Sequence, residues 1–131
     1  GGFMVLLSME KGGDLFKAGI SVAPVTSWRF YDTVYTERYM RTPQENPEGY
    51  DDNSPLSHAG DIKGRLLIVH GSADDNVHAQ NTYEMTEKMV QEGVQFDMAI
   101  YTNRNHGIRG GNTTMHLYTK MTNFLREQLQ N

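Results

Sequence analysis

Apolar positions along this chain follow two periods, one helical and one strand-like, and the two alternate. Phe3, Leu6, Leu7 and Met9 recur at helical spacing after two glycines, and Gly12-Gly13 ends the run, which predicts a short first helix. Leu15 to Ala23 predicts a turn into a short buried strand, closed by Pro24 because proline cannot donate to a ladder. Between Thr26 and Met40, Trp28, Tyr31, Tyr35 and Tyr39 fall three and four apart, predicting one aromatic helical face. Thr42 to Ser57, with Pro43, Pro47, Gly49 and Pro55, predicts loop, and Ser57 to Gly64 a short helix. Arg65 to His70 is a continuous apolar run and predicts a strand buried on both faces. Asn81 to Gln91 predicts a helix with Tyr83, Met85, Met89 and Val90 inward and Gly93 as its C-cap. Phe96 to Tyr101 predicts a third strand. Asn112 to Leu129 predicts a long amphipathic helix with Leu117, Tyr118, Met121, Phe124, Leu125 and Leu129 inward.

This alternation predicts an α/β fold with a mostly parallel sheet and flanking helices. Three parallel strands leave two open edges, so the chain reads as part of a larger sheet, with further strands expected from a segment before Gly1. The 131 residues suffice for one core. A net charge of −4 gives no footprint for nucleic acid. Cysteine is absent, which removes disulfides, thiolate zinc sites and thiol catalysis. No apolar run reaches membrane-spanning length, and the opening Gly-Gly-Phe-Met carries no targeting signal.

The chemistry gathers where strands end. The second strand delivers His70-Gly71-Ser72-Ala73-Asp74-Asp75-Asn76-Val77-His78, and the third delivers Asn105-His106-Gly107. An acid and then a histidine, each on the loop after its own strand, follow the Asp…His order that closes the Ser…Asp…His triad of α/β-hydrolases. Asp74 has two readings: it orients a histidine, or it caps the helix that follows. Asp75 reads as structural. His106 reads either as a general base or as a solvated loop residue, and His70 as a packed, hydrogen-bonded ring. His70, Asp74, Asp75 and His78 match no zinc spacing, so no metal is assigned. The aromatic face is either core or the lining of a pocket that suits a compact apolar ring.

Longer blocks carry a resemblance. Ala23-Pro24-Val25, Trp28, Tyr31-Asp32-x-Val34-Tyr35-Thr36-Glu37-Arg38-Tyr39-Met40, His70 through His78, Tyr101-Thr102 and His106-Gly107-Ile108 together resemble the dipeptidyl peptidase IV branch of the prolyl oligopeptidase family of serine peptidases. Pro43 through Tyr50 looks like bacterial members. The resemblance runs nearly end to end.

It implies the C-terminal portion of an α/β-hydrolase domain over residues 1–131, with the family's β-propeller absent. It implies Asp74 as triad acid and His106 as general base. Tyr31 and Tyr35 become walls of the slot for a proline or alanine side chain, with Trp28, Val25 and Val77 beside them, and Asn76 a polar contact to the substrate backbone. Gly1 and Gly2 match the last glycines of the family's Gly-Trp-Ser-Tyr-Gly-Gly, which puts the nucleophile two positions before Gly1. None of Ser8, Ser21, Ser27, Ser54, Ser57 or Ser72 stands in a Gly-x-Ser-x-Gly frame. One departure is local: Asn103-Arg104-Asn105 precede the histidine, where mammalian members are acidic.

The expected function is release of X-Pro or X-Ala dipeptides from peptide N-termini, without a cofactor or metal. The expected partners are peptide substrates, the rest of a parent chain and a second copy in a homodimer. The expected location is periplasmic or cell-surface. The 131 residues alone are expected to be inactive. The alternatives are a prolyl tripeptidyl or acylaminoacyl peptidase of the same family, or a non-catalytic interaction module of the same fold.

Overall fold

The computed structural model describes residues 1–31 and 33–130, apart from the side chains of residues 30, 33 and 34. Asp32 and the Val34 side chain, both within the blocks quoted above, lie outside the described residues. Strand β1 (Ala18–Val22), β2 (Arg65–Gly71) and β3 (Asp97–Tyr101) form one parallel sheet in that order. Ala18 lies opposite Arg65, and Leu67 opposite Asp97.

β2 is central and its residues from Leu66 onward are buried, as its unbroken apolar run requires. Its side chains alternate between two cores with the strand period of two. Leu66 and Ile68 join Leu6, Met9, Ala59, Ile62, Met85 and Met89 on one face. Leu67 and Val69 join Ile108, Leu117 and Phe124 on the other. Helix α1 (Gly2–Lys11) and helix α4 (Gln80–Gln91) cover the first face, and helix α5 (Thr113–Leu129) covers the second. β1 is only half-buried, because it is an outer strand of the three.

Several elements differ from the sequence pattern. Residues 26–40 are not one helix. A 3₁₀ turn, Trp28–Phe30, is capped by the Ser27 side chain, which accepts from the Arg29 amide. Tyr31 is then extended (φ −92°, ψ 168°) before helix α2 (Thr33–Met40) starts. The segment expected as loop contains helix α3 (Pro47–Asp52), begun by Asn46 as N-cap with Pro47 at the first position, a pairing that favours a helix start over a turn. A kinked 3₁₀ segment, Pro55–Asp61, replaces the short helix expected after Ser57.

On α4, Met85 and Met89 are buried as expected, but Tyr83 and Val90 are exposed. The inward stripe is completed by Asn81, Thr82 and Thr86, polar residues whose hydrogen bonds let them be buried. On α5, Leu117 and Phe124 are buried and Met121 is half-buried, while Tyr118, Leu125 and Leu129 face outward. A helix lying over two strands buries a stripe narrower than its apolar content.

Candidate active site

All three strands run the same way, so their carboxyl ends share one edge, where open α/β sheets place their sites. β2 ends at Gly71 and turns through Asp74, whose amide bonds the Gly71 carbonyl at 3.2 Å. β3 ends at Tyr101 and passes into the loop that carries His106. The two loops are stitched by backbone bonds from Ser72 to the Tyr101 carbonyl and from Ala73 to the Arg104 carbonyl, both 3.0 Å. The Ser72 hydroxyl also accepts from the Asn103 amide at 2.8 Å. Gly71 must be glycine here, since a Cβ would run into the Arg104 and Asn105 carbonyls.

This clamp brings the sequence-predicted pair together: His106 Nδ1 lies 2.8 Å from Asp74 Oδ2. The Asp74 side chain is 0% exposed and that of His106 45%. The second oxygen of Asp74 accepts from the amides of Asn76 at 3.0 Å and Val77 at 2.8 Å. Asp74 does not cap α4, whose N-cap is Ala79 with no side-chain bond; one of its oxygens instead closes the turn before that helix, and the other faces the histidine. A carboxylate only accepts, so Nδ1 carries the proton and Nε2 keeps its lone pair. That is the tautomer a general base needs. Asp75 and His78 are exposed. Among the described residues no group of three or more histidine or carboxylate side chains is arranged to hold a metal ion.

His70, read as a packed ring, is fully buried. Its Nδ1 lies 2.7 Å from Thr82 Oγ1 and its Nε2 2.6 Å from the Val77 carbonyl. Burial pushes its pKa below the usual histidine range.

The aromatic residues form a ladder rather than a core. Ring centroids run Trp28–Tyr31 5.9 Å, Tyr31–Tyr35 5.6 Å and Tyr35–Tyr39 5.2 Å. Tyr35 and Tyr39 are 53% and 68% exposed, so the ladder offers ring faces to whatever lies beside it. Tyr31 ties it to the acid loop, its hydroxyl donating to Asn76 Oδ1 at 3.2 Å. Val25 and Val77 are almost wholly buried, and each offers little surface.

Trp28 is fixed from below. Its Nε1 donates to the Asn53 carbonyl and its amide to the Ser54 hydroxyl, each at 3.1 Å. Beside it Arg29 makes a two-pronged pair with Asp51, at 2.9 and 3.1 Å, which holds Asp51 below the usual carboxylate range.

Sequence reasoning missed one rung. Phe3 of α1 packs on Trp28 with centroids 5.0 Å apart. It belongs to a different element, and no spacing rule relates the two. The same contact brings the start of α1 to the ladder. Gly2 packs against the backbone of Val22 and Pro24, and its carbonyl accepts from the Ser21 hydroxyl at 2.9 Å. A groove of about 590 Å³ lies elsewhere, along α5 between Met115 and Glu127, and shares no residue with the Asp74–His106 pair.

The chain is 48% identical over 129 residues to a probable dipeptidyl-aminopeptidase B of Coccidioides posadasii, covering 95% of this chain and 14% of that protein. It is 42% identical over 130 residues to dipeptidyl peptidase 4 of Felis catus, covering 97% and 17%. The crystal structure of Porphyromonas gingivalis dipeptidyl peptidase 4 superposes with a TM-score of 0.95 at 57% identity, over 97% of this chain and 18% of that one. The chain thus spans less than a fifth of the length of these relatives, and its parallel sheet with flanking helices is of the α/β-hydrolase type. The sequence model of the prolyl oligopeptidase family matches residues 1–131 throughout, and the chain belongs to that family.

Proposed function

We propose that this chain is the acid- and base-bearing part of a serine dipeptidyl peptidase that releases X-Pro or X-Ala dipeptides from peptide N-termini. The observation that carries it is the 2.8 Å bond from His106 to the buried Asp74, with the tyrosine ladder tied to the same loop through Asn76. The relatives named as dipeptidyl peptidases support the same reading.

In this mechanism the nucleophile is a serine two positions before Gly1 in a parent chain. α1 starts against the carboxyl end of β1, so chain arriving there reaches the sheet edge that holds Asp74 and His106. His106 Nε2 takes the serine proton as the hydroxyl oxygen bonds to the carbonyl carbon of the substrate's second residue. Asp74 stabilises the imidazolium. His106 then gives that proton to the leaving amine as the C–N bond breaks, leaving an acyl-enzyme. Water repeats the sequence and frees the dipeptide.

Tyr31 and Tyr35 wall the slot for the proline ring, a rigid apolar body that flat ring faces accommodate, with Trp28, Val25 and Val77 around them. Asn76 contacts the substrate backbone. Peptides are the proposed substrates, and a homodimer in the periplasm or at the cell surface the proposed setting; these rest on the family resemblance.

The test is turnover of Gly-Pro-p-nitroanilide by the parent protein and its variants. Asp74→Asn keeps an acceptor for the Asn76 and Val77 amides but loses the carboxylate facing His106. We expect kcat to fall about 10⁴-fold, the scale of losing the acid from such a triad. Asp75→Asn keeps wild-type turnover. Full activity in Asp74→Asn would refute the assignment.

A further inference from the structure

We propose that His70 is a positioning residue for the acid of the active site: a neutral imidazole whose single Nε2–H bonds the Val77 carbonyl and is shared with the Asp74 oxygen that also receives His106. The proposal rests on the preceding reading of Asp74 and His106 as a catalytic pair.

The donor assignment follows from the partners. The Val77 carbonyl can only accept, so His70 Nε2 bears the proton. Nδ1 is then an acceptor, and the Thr82 hydroxyl donates to it. The same Nε2 lies 3.3 Å from Asp74 Oδ2, the oxygen that receives His106 at 2.8 Å. Oδ2 therefore sits between two imidazoles, while Oδ1 is occupied by two backbone amides. Every direction in which the carboxylate could turn loses a bond.

Neutrality matters as much as position. A cation at His70 would compete with the His106 imidazolium for the charge on Asp74. Burial keeps the ring uncharged, so it orients the carboxylate without neutralising it. The Thr82 hydroxyl sharpens this role. By donating to Nδ1 it draws electron density from the ring and makes Nε2–H a better donor. His70 is the penultimate residue of β2, Thr82 lies in the first turn of α4, and Val77 lies between them, so one ring pins both ends of the acid loop.

The experiment compares His70→Phe, His70→Gln and Thr82→Val in the parent protein, with kcat expressed per active site titrated by an organophosphonate. Phenylalanine fills the space without a donor, and glutamine restores an N–H near the Nε2 position. We expect His70→Phe to lower kcat about tenfold, the scale of losing a hydrogen bond to a charged group, with KM within about twofold. The acid limb of kcat/KM should move to higher pH, because a carboxylate with fewer donors holds the His106 proton more tightly. His70→Gln should recover most of kcat and return the limb. Thr82→Val should move the limb the same way by less.

An acid limb and kcat per site unchanged in His70→Phe would overturn the proposal, as would glutamine performing no better than phenylalanine. If His70→Phe yields no titratable sites, Thr82→Val decides: a displaced limb supports the role and an unmoved one overturns it. Asp74→Asn separates the layers. If it stays active, the reading of the catalytic pair fails; if it is inactive while the His70 and Thr82 variants match wild type, only this inference fails.

Discussion

Asp74 divides its two oxygens between two tasks: one closes the turn on two backbone amides, and the other is left to face His106. Glu10 is the contrasting carboxyl. It is buried on α1, neither of its oxygens has a hydrogen-bond partner among the described residues, and its pKa is pushed up to about 8 by burial, then by Asp61, with Lys11 opposing. A group that binds its proton more tightly folded than unfolded costs nothing below its unfolded pKa near 4.5. It costs progressively more as pH rises toward 8. Glu10→Gln should therefore raise the unfolding free energy by about 3 kcal/mol at pH 8 and leave it unchanged at pH 4, measured by denaturant unfolding at both values. Equal stabilisation at both would refute the buried-acid account.

At this scale Asp74 and His106 were legible because strand ends announce themselves in sequence. The bonds of His70 to Thr82 and Val77 were not, since nothing in residue order says which way a buried ring points. Glu10 was hidden for the opposite reason: a glutamate near a helix end reads as solvated.

Among the elements, the aromatic ladder shows how a spacing can be right and its structure wrong. Positions 28, 31, 35 and 39 suit one helix, yet Tyr31 is extended and the rings still meet in series. The break lets Tyr31 reach Asn76 while Tyr35 and Tyr39 stay on α2. Tyr35→Ala removes a ring that neighbours on both sides, so we expect KM for Gly-Pro-p-nitroanilide to rise about tenfold, from lost apolar area and ring contact, with kcat little changed. An unaltered KM would detach the ladder from substrate.

The His106 loop has its own anchor. Ile108 is buried in the α5-side core although its φ is 49°, a backbone region that a β-branched residue enters only under constraint. Two residues from His106, core packing thus holds the loop in a conformation its sequence disfavours. α3 escaped the sequence reading because proline and glycine were weighed as breakers, when Asn46-Pro47 is a helix start.

For the whole molecule, the parallel sheet does the gathering. It aligns three carboxyl ends and lets two loops, 32 residues apart at Asp74 and His106, meet across one edge. The alternating pattern made the α/β class readable. It could not show which apolar residues of α4 and α5 face outward, because a helix face takes its burial from neighbours.

The relatives are five to seven times longer, as coverage of 14% to 18% implies, and the proposed mechanism takes its nucleophile from outside the 131 residues. The 131 residues expressed alone should therefore give no hydrolysis of Gly-Pro-p-nitroanilide above background, since removing the nucleophile and an oxyanion donor removes most of the catalysis. Turnover by the pure chain would contradict the assignment of roles.

The central claim is that Asp74 and His106 activate one particular serine. Its most direct measurement is covalent labelling of the parent protein with a fluorophosphonate, followed by mass mapping of the modified peptide. The account predicts a single label on the serine two positions before Gly1, lost in His106→Ala. A label on any other residue, or unchanged labelling in His106→Ala, would contradict it.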